Sequence, residues 1–300
     1  MTDLRTAPSE VADPVEQIGA DPVLRATRSL RPPLPAGAAF VVGVGLLGLL
    51  LLATLLAPLL VPTDPLLQDL TKIALAPGAD PAHPLGTDQV GRDMLSRLLH
   101  GGRLPMTIGA LSVLVGGALG SLLGVVAGYA GGVVDTVLSR LADAQLALPT
   151  ILVAITLLTF AGRSTSNLVV VIALGGWPTF FRVCRSQVLS TRERAFVAAA
   201  VAMGASRTRI VLTHLLPAVR GLVVVTATLD FSRALLVASG LTYLGLGVQP
   251  PHPDWGLMVA EGQTYLASAW WIATLPGVGI ILAVFATNLI GDALIDRARR

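Results

Sequence analysis

The feature of this 300-residue chain that most constrains its fold is a set of long stretches without charge. The first, residues 36–63, is uncharged and mostly apolar over 28 residues, whereas a helix needs about 20 to cross the bilayer core. A signal peptide has an apolar core of only about 7–15 residues, so this stretch predicts a retained transmembrane helix.

The composition supports a membrane protein. Charged residues make up 13% of the chain and hydrophobic residues 53%, whereas about 25% of the residues of a soluble domain are charged. A net charge of +3 is small for this length. These values exclude a disordered chain, a nucleic-acid-binding domain and most soluble enzymes.

Five more apolar stretches predict an all-α membrane protein with six transmembrane helices. They are residues 106–134, 144–162, 168–181, 218–248 and 269–290. The last has 22 residues and would extend about 33 Å at 1.5 Å per residue, enough for a bilayer core of about 30 Å. The polar stretches 135–143, 163–167 and 249–268 are expected to connect them.

The basic residues predict the orientation. Six spans place both termini on one side, and basic residues are enriched in cytoplasmic loops. With both termini inside, 15 basic residues face the cytoplasm, five face outward, and Arg233 lies in the membrane. We therefore expect an N-in, C-in chain. Its parts are a cytoplasmic tail over 1–35, the first span over 36–63, an extracytoplasmic segment over 64–105, a core over 106–292 and a cytoplasmic tail over 293–300.

Nothing in the sequence predicts chemistry carried out by this chain. A phosphate-binding Walker A loop needs Gly-Lys-Ser/Thr, and the only lysine, Lys72, lies between Thr71 and Ile73. The four histidines lack metal-ligand spacing, and the single Cys184 cannot form an intrachain disulfide. We therefore expect neither a catalytic site nor a metal or cofactor bound to this chain.

Glycines recur every four residues along the second span. Small residues at this spacing share one helix face and allow a second helix backbone to approach closely. The residues are Gly116, Gly120, Gly124, Gly128 and Gly132. The pattern predicts a helix in the interior of a bundle.

Two charged residues, Asp230 and Arg233, lie within the fifth span. Three residues apart on a helix, they share a face and can pair. Charges inside a membrane usually face a cavity or a partner helix. The pair either lines a translocation path or stabilises a subunit interface, and the sequence does not decide between these roles.

Residues 182–209 are the most charged part of the chain, and the loop 182–217 that contains them is predicted to lie in the cytoplasm. The alanine-rich run 195–203 favours a short helix, and Gly204 can end it. A short helix with basic flanks outside the bilayer has few structural reasons to exist, so we interpret it as a docking element for a cytoplasmic partner.

The same residues resemble the alanine-rich loop of ABC importer permeases. The matching residues are Phe196-Val-Ala-Ala-Ala200, Gly204-Ala-Ser206, Ile210 and Leu216-Pro217. Further blocks are similar to the dipeptide/oligopeptide/nickel branch, and they are His83-Pro-Leu-Gly-Thr-Asp88, Gly91-Arg-Asp93, Ser96-Arg97, Leu244 to Pro251, Asp254-Trp-Gly256, Trp270-Trp271, Pro276-Gly277 and Asn288 to Asp292. The resemblance covers roughly residues 40–292.

This resemblance implies the type I ABC importer permease fold, in which the loop forms a coupling helix seated in a groove of the ATPase. The residues it implies for docking are Glu193, Phe196, Val197, Ala198, Ala199, Ala200, Met203, Gly204, Ala205, Arg207, Ile210 and Pro217. The implied partners are a second homologous permease, two ABC ATPase subunits (or one heterodimer) that bind ATP and Mg²⁺, an extracytoplasmic solute-binding protein and the lipid bilayer. The implied location is the cell membrane, with no nucleic-acid partner.

The chain departs from the family pattern at several positions. The family's loop usually has Glu where this chain has Ala198, and often Arg where it has Val201. A charged anchor to the ATPase is either missing here or supplied by Glu193, Arg207 or Arg209. The family also often has Glu near the end of the fifth span, where this chain has Ala238.

The function implied is ATP-driven import of di- or oligopeptides. One alternative is a permease of the same family for nickel or another small solute. Another is an ion-gradient-driven transporter using Asp230 and Arg233, whose expected mark is an inverted repeat with helices broken in mid-membrane; we expect no such break here. A membrane-embedded enzyme would need converging polar side chains, which the spans almost lack.

Overall fold

The computed structural model describes residues 36–298, and the side chains of residues 37–297. The predicted tail 1–35 and the last two residues lie outside this range. The described helices are α1 Ala36–Leu55, α2 Ala57–Leu60, α3 Met94–Gly101, α4 Arg103–Ala130, α5 Gly132–Leu146, α6 Thr150–Ala161, α7 Thr165–Arg192, α8 Ala195–Ala202, α9 Arg207–Ile210, α10 Leu216–Tyr243, α11 Trp255–Gly262 and α12 Trp271–Ala298. A π-helical turn, Val211–Leu215, joins α9 to α10.

The all-α membrane architecture is confirmed. In the part of the chain that the structure describes, five helical segments are long and apolar enough to cross a bilayer: Gly37–Leu55, Met94–Ala130, Thr165–Arg192, Arg207–Tyr243 and Trp271–Arg297. The bent pair α5 and α6 gives a sixth crossing if it is counted as one span. The predicted number of six therefore depends on that pair.

Helices α4 and α7 form the centre of the bundle. Gly116 faces Ala173 at one end of their contact and Gly128 faces Val188 at the other, so the two helices run parallel. Helix α10 packs against both, α12 packs against α10, and α1 packs mainly against α12. A buried apolar cluster joins α4, α6, α7 and α10.

The expected polar loop at 135–143 is wrong, because α5 is helical throughout this stretch. Its polar side chains face α7, where Asp135 pairs with Arg185 and Asp143 with Arg182. They therefore stabilise helix packing rather than a turn.

The expected continuous third span over 144–162 is also wrong. The chain bends by 91° between α5 and α6, and Pro149 occupies the position before α6. Proline has no amide N–H and disfavours a helical conformation at the residue before it. The stretch predicted as one span is therefore two helices, α5 and α6.

Several helices differ in length from the predicted spans. The first span is interrupted at Leu56, two residues before Pro58. Helix α7 continues from the predicted end at residue 181 to Arg192. Helix α12 extends through residues 293–298, which were expected to form a tail. Helices α7 and α12 both continue past their apolar residues into charged ends, because a helix can extend beyond the apolar core of the membrane.

The two stretches expected to lie outside the membrane are partly helical. Within 64–105, Asp93 caps α3 by accepting a hydrogen bond from the Ser96 backbone N–H at 2.7 Å. Within 249–268, Asp254 caps α11, whose Trp255 is buried. Helix α11 packs against α10 and α12, so this connection is part of the folded body.

Candidate functional site

The predicted coupling loop 182–217 is shorter than expected. Residues 182–192 belong to α7, and residues 207–217 form an almost continuous helical run into α10. The connection is therefore residues 193–206, here called the docking segment, with α8 at its centre.

The docking segment is anchored by one apolar face of α8. Val197 and Ala200 are buried, with 3% and 5% of their surface exposed. Val197 joins a cluster that includes Val188 of α7 and Ile210 of α9. Because these helices continue into the membrane bundle, a force applied to α8 would be transmitted to α7 and α10.

Gly204 ends α8 in a Schellman motif. Its N–H donates to the Val201 carbonyl at 2.9 Å, and the Ala205 N–H donates to the Ala200 carbonyl at 3.0 Å. The φ angle of Gly204 is +77°, a conformation that glycine adopts at the least cost. Ser206 then caps α9 by accepting from the Arg209 N–H.

The opposite face of the docking segment is exposed and apolar. Met203 is 82% exposed, Val201 57% and Phe196 48%, and the Phe196 ring stacks on His214. Of the twelve predicted docking residues, Val197, Ala200 and Ile210 are buried, Ala205 is half-buried, and Glu193, Phe196, Ala198, Ala199, Met203, Gly204, Arg207 and Pro217 are exposed. The charged Arg209 is exposed beside them.

Four of the five predicted glycines lie against α7. A Cβ added to Gly116 would lie 2.6 Å from the Ala173 carbonyl oxygen, and one added to Gly124 would lie 2.6 Å from that of Phe181. Gly120 and Gly128 make similarly close approaches. Gly132 does not, because α4 ends before it and its φ is +56°; the expectation that it packs with the others is wrong.

Asp230 and Arg233 form an ion pair on α10. Arg233 Nε donates to Asp230 Oδ1 at 2.6 Å, and the Asp230 side chain is 6% exposed against 34% for Arg233. Both side chains lie against Gly176 of α7. The pair is therefore held between two helices of this chain, and its role in a translocation path or at a subunit interface stays a prediction.

Sequence reasoning missed a polar link beside this pair. Pro178 lies inside α7 and has no N–H to donate to the Leu174 carbonyl four residues earlier. Gln145, next to the end of α5, donates to that carbonyl instead and accepts from Trp177 Nε1 at 2.7 Å. A proline in an apolar span is the signal that an unpaired carbonyl needs a donor.

A buried ionic network on the predicted outer side was also missed. Asp88 pairs with Arg92 at 2.5 Å and with Arg97 at 3.3 Å. Glu261 of α11 pairs with the same two arginines at 3.1 and 2.8 Å. The network ties the extracytoplasmic segment to α11. The arginines were visible in the sequence, but their partner is more than 160 residues away.

Asp254, in the connection after α10, is 1% exposed. Its Oδ1 accepts from the Gly256 and Leu257 N–H groups, and its Oδ2 has no partner. Burial raises the pKa of Asp254 to about 6, and the two backbone hydrogen bonds oppose this shift. A bound proton would lower the cost of the unpartnered oxygen.

An apolar groove of about 840 Å³ opens between α1, α4, α10 and α12. Each of the four helices contributes to its lining, for example through Leu47, Gly117, Val223 and Thr287 in that order, and Arg220 is the charged residue in the lining. Within residues 36–298, no group of three His, Cys, Asp or Glu side chains is arranged to hold a metal ion.

Comparisons with known proteins agree on one kind of relative. Residues 120–300 match the family described as the inner membrane component of binding-protein-dependent transport systems. A di/tripeptide transport system permease protein of Pseudomonas aeruginosa is 41% identical over 84% of this chain and 85% of its own length. A dipeptide transport system permease protein of Escherichia coli is 39% identical over 85% and 87%. A putative peptide transport system permease protein of Brucella suis is 35% identical over 96% of each.

Proposed function

The chain belongs to the family of inner membrane components of binding-protein-dependent transport systems, and we propose that it forms half of the path of an ATP-driven peptide importer. The peptide assignment is supported by the names of all three relatives described above. Membership of this family, together with the five or six candidate spans, identifies a multi-pass protein of the inner membrane. The N-in, C-in orientation is part of the proposal.

The observation that carries the coupling role is the docking segment. It presents Phe196, Val201 and Met203 to solvent while Val197 and Ala200 fix it to the bundle. An exposed apolar patch of this kind is typical of a protein interface. We propose that an ATPase subunit covers it, and that the exposed Glu193, Arg207 and Arg209 supply the charged contacts for which the family uses other positions.

The remaining partners follow from the same family. We propose a second homologous permease, two ATPase subunits that bind ATP and Mg²⁺, and an extracytoplasmic solute-binding protein. Exposed apolar side chains on the inner half of α10 support the proposal of a second permease. Leu216 and Val224 are each about half exposed, and both line the apolar groove. This groove would be closed by the second permease.

The alternatives are less well supported. The broken span α5–α6 is a feature expected of ion-gradient-driven transporters, but the family assignment favours ATP as the energy source. A nickel permease of the same branch would share this fold, and the names of the relatives favour peptides over nickel.

Met203→Glu tests the docking role. Met203 is 82% exposed, so a carboxylate there should leave insertion and thermal stability unchanged. Buried beneath an ATPase subunit, the unpaired charge should reduce peptide-stimulated ATP hydrolysis and peptide uptake by about tenfold or more. Both rates would be measured with the full complex in liposomes.

Met203→Leu is the matched control, because it keeps an apolar side chain of similar volume and should retain both rates. Gly204→Asp provides a second test, since Asp adds a charge at a position with φ of +77°. Normal coupled transport by both Met203→Glu and Gly204→Asp would contradict docking at this segment.

A further inference from the structure

Residues 67–73, here called the outer turn, lie at the end of the bundle opposite the docking segment. The outer turn precedes α3 and α4, whereas the docking segment follows the end of α7. Because α4 and α7 run parallel, the start of α4 and the end of α7 lie at opposite ends of the bundle. With the proposed ATPase on the cytoplasmic side, the outer turn is therefore on the extracytoplasmic side.

Three large apolar side chains of the outer turn are exposed. Leu67 is 65% exposed, Leu70 67% and Ile73 51%. Single apolar residues on a surface are normal, but a concentration of them marks an interaction site. Three such side chains within seven residues, outside the spans that α1 and α4 form, therefore indicate a surface that a partner covers.

The outer turn is held in one conformation by hydrogen bonds. The Lys72 N–H donates to the Asp69 carbonyl at 2.9 Å, and the Asp69 carboxylate accepts from the Thr71 N–H at 3.0 Å. The next residue, Ala74, has a φ of +50°, which is uncommon for alanine. Its N–H donates to the Asp88 carbonyl at 2.9 Å. The exposed side chains are thus presented by a fixed backbone, so little order has to be gained when a partner binds.

Asp88 links the outer turn to the membrane helices. Its carboxylate pairs with Arg92 and Arg97, and both arginines pair with Glu261 of α11. The carbonyl of the preceding residue accepts a hydrogen bond from Trp271 Nε1, at the start of α12, at 3.0 Å. Helix α11 packs against α10 and α12. A partner bound to the outer turn would therefore act on α10, the helix into which the docking segment leads.

Charged groups among the apolar side chains favour a protein over the bilayer as the partner. Asp64 is exposed, and hydrogen bonds from the Thr71 hydroxyl and N–H hold the pKa of Asp69 below its usual value. Lys72 pairs with Asp80 at 2.8 Å. Charges are expensive to bury in hydrocarbon, whereas a protein interface combines an apolar centre with a polar rim.

We propose that, in the importer proposed above, the outer turn is a contact surface for the extracytoplasmic solute-binding protein. Leu67, Leu70 and Ile73 form the apolar centre of this contact, and Asp64 and Asp69 belong to its rim. The facing surface of the solute-binding protein is expected to be apolar, with basic side chains opposite the two carboxylates. Binding outside would reach α10 through the ionic network and α11.

Leu70→Glu tests this surface, because Leu70 is the most exposed of the three apolar residues. The probe is the solute-binding protein that supports peptide uptake by the wild-type complex. Its affinity for the full complex in lipid nanodiscs is measured by surface plasmon resonance. An added carboxylate would face an apolar surface in the complex, so the affinity should fall by about tenfold or more.

Two control variants should bind the solute-binding protein as wild type does. Leu70→Met keeps an apolar side chain of similar volume. Ser166→Glu adds the same charge at an exposed residue in the first turn of α7, at the same end of the bundle. If Leu70→Glu does not accumulate in the membrane, Leu67→Gln is a milder change, and it should weaken binding in the same direction.

Two results would overturn the inference. Unchanged affinity in whichever of the Leu70→Glu and Leu67→Gln variants assembles would assign the outer turn to the bilayer surface. An inserted variant chain that no longer co-purifies with the second permease would assign it to the contact between permeases. Both results leave ATP-driven uptake by the wild-type complex, and with it the proposed function, intact. A wild-type complex that takes up no peptide with ATP would contradict the proposed function itself.

Discussion

At the scale of single residues, glycine spacing was the most informative signal in the membrane. The four-residue repeat predicted a close helix contact, and Gly116, Gly120, Gly124 and Gly128 lie against α7. The repeat did not reveal where α4 ends, so Gly132 was wrongly included. Helix α4 ends before Gly131, whose φ of +65° breaks the helix. Because several glycines lie in this stretch, the sequence alone does not show which of them adopts the positive φ.

Gly120→Ala tests the energetic weight of this contact. The added methyl group would meet the Trp177 carbonyl oxygen and would lie 2.9 Å from Phe180 Cβ. We expect a loss of about 1–3 kcal/mol in the free energy of unfolding from overpacking, measured by thermal unfolding of the complex in detergent.

Gly48→Ala is the control for that substitution, because nothing lies within 4 Å of a Cβ added there. It should leave the melting temperature unchanged or slightly raised, since alanine favours a helix more than glycine does. Equal melting temperatures for the two variants would show that the α4–α7 contact yields without cost.

At the scale of secondary-structure elements, the sequence identified the apolar spans but not their breaks. Hydrophobicity measures whether a stretch can lie in lipid. Taken together, α5 and α6 are long and apolar enough to do so, so hydrophobicity does not reveal the bend between them. The break depends on Pro149 and on the polar side chains of α5 that bind α7. Pairings between distant elements, such as Glu261 with Arg92 and Arg97, could not be read from spacing along one helix.

Gln145→Leu tests the link between the broken span and α7. It removes the donor to the Leu174 carbonyl and the acceptor for Trp177, and we expect a loss of about 1–3 kcal/mol in stability. Hydrogen exchange should increase in α7 around Trp177, measured by mass spectrometry on the complex in detergent.

Pro178→Ala in the Gln145→Leu background provides the control. An alanine at residue 178 has an N–H that can donate to the Leu174 carbonyl, so the double variant should recover part of the lost stability. Additive effects of the two substitutions in a double-mutant cycle would contradict a shared carbonyl.

At the scale of the whole molecule, three features belong to one arrangement. The docking segment contacts α7 and the run into α10, and these two helices hold the Asp230–Arg233 pair between them. A movement of the docking segment would therefore alter the surroundings of the pair. The sequence predicted the docking segment and the pair separately, and only the packing of α7 against α10 connects them.

The most direct test of this account is peptide uptake by the complex purified through a tag on this chain. Liposomes containing the complex and its solute-binding protein would be given a labelled dipeptide, with ionophores present to abolish ion gradients. We predict uptake that requires ATP on the side of the membrane where the docking segment lies. This uptake should persist without an ion gradient. Uptake that needs an ion gradient and proceeds without ATP would contradict the account.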